Sequence, residues 1–168
     1  MQPKYSVERT ILWSAHGGET TWNDVPATSD SIRGLGGYLV LTKSSTIAGV
    51  RRVKHLKVQI GIACSLQTLP VFWAVQFVPE GYSPQIIHIP NMLVQGGKAF
   101  DLLSSNQFVM CAGCTSVNTS ENVIIESPVA RNLHSGDTIC LTWTVPHENS
   151  EGFYCEIFGV AEYAVAFV

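Results

Sequence analysis

Charge is what this 168-residue chain has least of: Asp, Glu, Lys and Arg make up only 14% of it, against roughly 25% in a usual soluble domain. A monomer stays in solution by coating itself with charge, so a chain this poor in it is expected to hide surface against a partner. Long hydrophobic runs are missing too. No stretch reaches the roughly 18 to 20 residues that span a bilayer, and no membrane association is expected. Met1-Gln2-Pro3-Lys4-Tyr5 has no apolar signal-peptide core, which points to synthesis in the cytosol or nucleus.

Paired cysteines are absent as well. Cys64, Cys111, Cys114, Cys140 and Cys155 form an odd set without a disulfide framework, as suits a reducing compartment. Cys111-Ala112-Gly113-Cys114 is a lone CxxC with no second ligand pair to complete a zinc site. A redox dithiol would open a helix, whereas Thr115 to Asn122 is polar and rich in turn residues, so buried free thiols are expected. Asn118-Thr119-Ser120 matches a glycosylation sequon and, with no secretory signal, reads only as an exposed loop.

Catalytic patterns are equally scarce. Gly34-Leu35-Gly36-Gly37 lacks the lysine and the following helix of a phosphate-binding loop. His16, His55, His88, His134 and His147 are scattered, with no two at metal-ligand spacing. No GxSxG occurs, and no cysteine stands in a nucleophile context. Asp101 and Asp137 lie near turns, where a carboxylate commonly caps backbone N–H groups. The expectation is a protein that is not an enzyme and needs no metal or cofactor.

What is present is strand. Helical periodicity is almost missing; short β-branched and aromatic runs alternate with Gly, Pro, Ser and Asn clusters, the pattern of an antiparallel sandwich or barrel. Strands are predicted over Tyr5 to Ser14, with Val7, Ile11 and Trp13 on one side, and over Tyr38 to Thr42 after Gly36-Gly37. Ser14 to Ser31 reads as loop. Val50 to Ser65 is the clearest strand, basic at its start and apolar on its even positions from Leu56 onward. Val71 to Val78, apolar on both faces apart from Gln76, should be central and end in the turn Pro79 to Pro84. Ile86 to Val94 is extended, limited by Pro90 to an edge or a break. Asn106 to Ala112 and Asn122 to Glu126 follow, then a turn over Asn132 to Asp137 with Ser135-Gly136 at its tip. Thr138 to Val145 and Tyr154 to Val168 complete the set, the last implying a chain terminus paired inside a sheet. Eight or nine such strands with long connections predict one all-β domain over 1–168, a single jelly roll in the form of an eight-stranded antiparallel β-sandwich.

Against this background one feature stands out. Arg51-Arg52-Val53-Lys54-His55-Leu56-Lys57 holds four of the ten Lys and Arg residues, leaving six against thirteen acidic groups elsewhere. Fixed positive charge on a rigid β surface attracts polyanions, nucleic acid above all. The competing reading is a solvated strand edge protected by its charges.

Three segments together resemble the capsid proteins of small circular Rep-encoding single-stranded DNA viruses, the circovirus and nanovirus-like group. These are Val50 to Val58, Phe72-Trp73-Ala74-Val75-Gln76-Phe77-Val78-Pro79-Glu80-Gly81-Tyr82, and Ser127-Pro128-Val129-Ala130-Arg131-Asn132-Leu133-His134-Ser135-Gly136-Asp137, the last preceded by Asn106-Gln107-Phe108-Val109-Met110. Their order and spacing agree over about residues 50 to 145. The resemblance implies a jelly roll of the viral capsid type. It also implies virion localisation, with assembly in the host nucleus or cytoplasm, and self-assembly of about sixty copies into a T=1 icosahedral shell around single-stranded DNA. On that reading Arg51, Arg52, Lys54 and Lys57, with Lys4 and Arg9, would touch phosphates without reading sequence, and His55 would add charge below about pH 6.5. Trp13, Trp22, Trp73 and Phe72 are candidate stacking platforms, Trp73 fitting a core better and Trp22 a contact surface.

The sequence departs from that family at the N-terminus, where only Lys4 and Arg9 stand in place of the usual arginine-rich arm. Six inward-facing cations on about sixty copies would supply roughly 360 charges against on the order of one to two thousand phosphates in a small genome. A missing arm, weak packaging and an empty shell all fit that shortfall. Two other classes compete with the shell: a jelly-roll binding module, lectin-like or a trimeric ligand domain, and a cupin-like enzyme, for which the histidines supply no ligand cluster.

Overall fold

The computed structural model describes residues 2–15, 23–26, 31–43, 48–64, 69–84, 89–90, 109–117, 123–127, 130–146 and 155–168. Twelve strands run through them: β1 (Ser6–Ala15), β2 (Asn23–Val25), β3 (Ser31–Ile32), β4 (Gly34–Val40), β5 (Arg51–Cys64), β6 (Leu69–Val78), β7 (Ile89–Pro90), β8 (Val109–Val117), β9 (Val123–Ser127), β10 (Arg131–Leu133), β11 (Thr138–Pro146) and β12 (Cys155–Phe167). Sheet A has the order β1-β12-β5-β10, with β9 also on β5; sheet B has the order β2-β4-β11-β6-β8. A short ladder joins β3 to β7.

All the pairings are antiparallel, and they nest. The first long strand pairs with the last (β1 with β12), the second with the seventh (β4 with β11), the third with the sixth (β5 with β9 and β10), and the fourth with the fifth (β6 with β8). A chain folded back on itself and rolled up in this way is a jelly roll. The predicted all-β class and single roll therefore hold, with β2 added at one edge and the sixth strand broken into two pieces.

Between the sheets lies one apolar core. Leu12, Leu35, Val53, Leu56, Val58, Ile60, Val71, Val75, Ile125, Leu133, Leu141, Trp143, Ile157, Tyr163 and others pack together there. Each large aliphatic side chain fully buried in this layer contributes about 1.5–3 kcal/mol. The C-terminal strand is enclosed as expected, with β1 on one side and β5 on the other, and the Val168 N–H still reaches the Val50 carbonyl at 2.9 Å.

Several boundaries differ from expectation for local reasons. β4 starts at Gly34 rather than Tyr38, because Gly36 lies hard against β11: a Cβ there would come within 2.9 Å of the Trp143 carbonyl. β8 runs on through Cys114 into the stretch read as turn, and pairing with β6 from Leu69 to Gln76 holds those polar residues extended. Part of the segment read as loop is strand, since Asn23–Val25 pairs with β4. Of the turn expected over 132–137, Asn132 and Leu133 belong to β10, and the turn narrows to His134–Asp137. Residues 106–108 and most of the Ile86 to Val94 segment lie outside the described residues.

Candidate nucleic-acid interface

β5 carries the basic run, and it does not alternate evenly. Val53 and Leu56 both face the core, which an unbroken strand forbids, since residues three apart point to opposite faces. A β-bulge resolves this. Lys57 stands opposite Glu162 and Lys54 opposite Ala164, so His55 and Leu56 together face Tyr163 alone. His55 takes the extra position with a φ of 55°, a left-handed conformation that a non-glycine residue adopts at a cost. Before the bulge the odd positions point inward, and after it the even ones do.

The bulge sorts the predicted cations. Arg51 is turned inward and buried, its Nη1 donating to the Lys43 carbonyl at 2.9 Å. It is thus a packing residue rather than a surface phosphate ligand, a correction to the expected set. Arg52, Lys54 and Lys57 share the outer face of sheet A, and His55 is exposed beside them. Arg52 Nε donates to Asn132 Oδ1 of β10 at 3.0 Å. Lys54 Nζ sits 3.7 Å from the centre of the Tyr5 ring, a cation–π contact across the strand that carries the small Ala164 and Ala166. Lys4 is exposed just before β1, and Arg9 lies on the outer face of β1.

Acidic neighbours offset much of this charge. Arg9 Nε meets Glu162 Oε2 at 2.7 Å, with both side chains well exposed, so the pair contributes at most about 1 kcal/mol. Lys57 is flanked in register by Glu162 on β12 and Glu126 on β9. Among the described residues, only the end of the face holding Arg52, Lys54 and His55, with Lys4 near by in sequence to Tyr5, keeps a surplus of positive charge. The face is not a uniform basic stripe.

The other end of the same face is apolar, which the sequence did not lead us to expect. Val7, Ile11 and Trp13 do share one side of β1, but that side points outward: Ile11 is 87% exposed and Trp13 55%. Phe158 on β12 and Ile124 on β9 are exposed alongside them. The inward side of β1 carries Glu8, Thr10, Leu12 and Ser14; it is tolerated because Glu8 accepts a 2.8 Å hydrogen bond from the Tyr163 hydroxyl. Trp13 Nε1 donates to Glu156 Oε1 at 2.6 Å, which fixes the indole against the face rather than leaving it free to stack. Trp73 is partly buried against the core, over Gly113, and Trp22 lies outside the described residues.

The cysteine motif is split by the same two-residue period. Cys111 packs against the core, while Cys114, three positions on, is exposed, so the two thiols sit on opposite faces of β8. The expected buried thiol is thus seen for Cys140, half seen for Cys111 and not seen for Cys114. Burial pushes the thiols of Cys111 and Cys140 above their ordinary value, and that of Cys114 as well. Among the described residues no group of three His, Cys, Asp or Glu side chains could hold a metal ion, and no helix is long and apolar enough to cross a membrane.

No protein-family model matches this chain, and no curated protein matches it. Among solved structures it is similar to one described as the structure of infectious bursal disease virus, Gx strain, at 7% sequence identity and a TM-score of 0.43. That likeness covers 99% of this chain and 32% of the other, so the chain spans about a third of its length. A likeness so distant carries no argument about function.

Proposed function

We propose that this chain is a structural protein, the subunit of a small viral shell that assembles from copies of itself and encloses single-stranded DNA. The observation that carries the reading is the jelly roll whose sheet A leaves Ile11, Trp13, Phe158 and Ile124 exposed together on one face. A surface of that kind calls for a partner, and a charge-poor chain has little else to keep it in solution. The resemblance of residues 50 to 145 to circovirus and nanovirus-like capsid proteins supplies the closed T=1 shell and the DNA. Arg52, Lys54, His55 and Lys4 are the cations offered to phosphate, while Arg9 and Lys57 of the expected set stand against Glu162 and Glu126.

Electron microscopy of the purified protein tests the reading, with absorbance at 260 and 280 nm read before and after nuclease. Uniform small shells with nuclease-protected absorbance are the expected result. Replacing Arg52 and Lys54 with Gln should lower the retained nucleic acid and flatten its salt dependence; Arg51 is left in place because its guanidinium is part of the packing, and Lys57 because it stands between Glu162 and Glu126. Discrete trimers free of nucleic acid would favour the lectin-like or ligand-type binding module instead.

A further inference from the structure

The two sheets differ in what becomes of their outer faces. On sheet B, Ala74, Gln76, Cys140, Thr142 and Thr144 point away from the inter-sheet core and are buried nonetheless. On sheet A the outer face is open, and its side chains form rows across the strands in the order β1, β12, β5, β9. One row is Trp13, Phe158, Gly61; the next is Ile11, Val160, Gln59, Ile124; the next is Arg9, Glu162, Lys57, Glu126.

The charged row alternates in sign, and this makes it complementary to its own reverse. Turn a second copy about a two-fold axis that lies in the contact plane, parallel to the strands and midway between β12 and β5. Then β1 lies over β9 of that copy and β12 over β5. Arg9 meets the partner's Glu126, and Lys57 meets the partner's Glu162. Ile11 meets the partner's Ile124, and the Phe158 ring falls over the partner's Gly61, where no side chain stands in its way. A two-fold axis running along the charged row would instead set Arg9 on Arg9 and Glu162 on Glu162. This orientation therefore satisfies charge in the alternating row, apolar contact and shape together, in the isologous form that most homodimers take. It also brings Arg52, Lys54 and His55 of both copies to one rim, where like charges lie together and oppose the pairing.

We propose that the outer face of sheet A binds the same face of a second copy of this chain about a two-fold axis parallel to its strands, an inference that rests on the self-assembly reading above. The test mixes two single variants, Ile11→Cys and Ile124→Cys, and treats them with a short bis-maleimide. Both positions are well exposed, at 87% and 56%, so neither change threatens the core. The unsubstituted protein, whose Cys114 is exposed, sets the background. A cross-linked pair formed several-fold more in the mixture than in either variant alone is the expected result. Self-linking of Ile11→Cys would mean that two β1 edges pair, and would overturn the proposal. Shells that form without the mixed link overturn the face pairing and leave the shell reading standing. Linked pairs that never build shells leave the pairing standing and remove the shell. Protein that sediments only as monomer removes both.

Discussion

Tyr163 is the residue on which the inward side of β1 and β12 depends. Its hydroxyl donates to Glu8 and accepts the Lys43 N–H, each at 2.8 Å, in a place where the ring is 1% exposed. Burial pushes the phenol up to about 12; the Lys43 N–H opposes the rise, and the hydrogen bond and negative charge of Glu8 add to it. The unfolded phenol ionises near 10.0, so between the two values the unfolded chain sheds a proton that the folded one keeps. Stability is expected to fall by about 1.4 kcal/mol per pH unit across that window. Urea midpoints followed from about pH 9 to about pH 12 should show that decline, and Tyr163→Phe should lack this part of it. Asp137 bears a comparable weight. Its two carboxylate oxygens accept the Glu80 and His134 N–H groups at 3.0 and 2.9 Å, tying the turn after β6 to the turn before β11. Asp137→Ala leaves both donors without their acceptor and should cost about 2–3 kcal/mol in chemical unfolding. This role was legible in the sequence as a turn carboxylate, since a short acidic side chain after Ser-Gly has backbone N–H groups within reach.

At the scale of the element, β5 shows where strand patterns inform and where they mislead. The length of β5, its apolar second half and its basic start all follow from residue type. The phase at its start does not, because the bulge sits at His55, and a histidine, though it enters the left-handed region more readily than most side chains, marks such a position far less clearly than glycine. Strict alternation would put Arg51 outside with Lys57, and Arg52 inside with Leu56; the bulge reverses both. His55→Gly should raise the urea midpoint by an amount equivalent to about 1 kcal/mol, since glycine adopts that conformation freely, and His55→Val should lower it. The opposite order of the two variants would mean that β5 runs straight. β1 misleads in a different way. Its Val7, Ile11, Trp13 side looks like a core face, but the core side of β1 is the polar one, made acceptable by Tyr163. The signal that could have revealed this is the two-sided ambiguity of Glu8, Thr10, Leu12 and Ser14, in which Leu12 alone is apolar yet fully buried. Turn residues were read well: the Tyr82 N–H bonds the Pro79 carbonyl at 3.1 Å, with Gly81 at a φ of 85° between them.

For the whole molecule, low charge, an open apolar sheet face and a self-complementary charged row point the same way. The jelly roll buries one face of each sheet in a single core, and the centre of sheet B's second face is buried as well, while Tyr38, Val40 and Cys114 toward its edges stay exposed. Sheet A is left with an apolar end, a neutral alternating row and a basic end on one surface. Composition told of hidden surface, but only the pairing registers say which surface it is, because the rows are made of residues up to about 150 positions apart in sequence, as in Arg9 and Glu162. On the proposed function a polyanion uses the basic end, and on the proposed pairing a second copy uses the apolar end. Sedimentation velocity over a range of salt and pH tests self-assembly most directly. Large closed species should dominate under some conditions, with a two-copy species on the way to them, and a monomer at every condition would contradict the account.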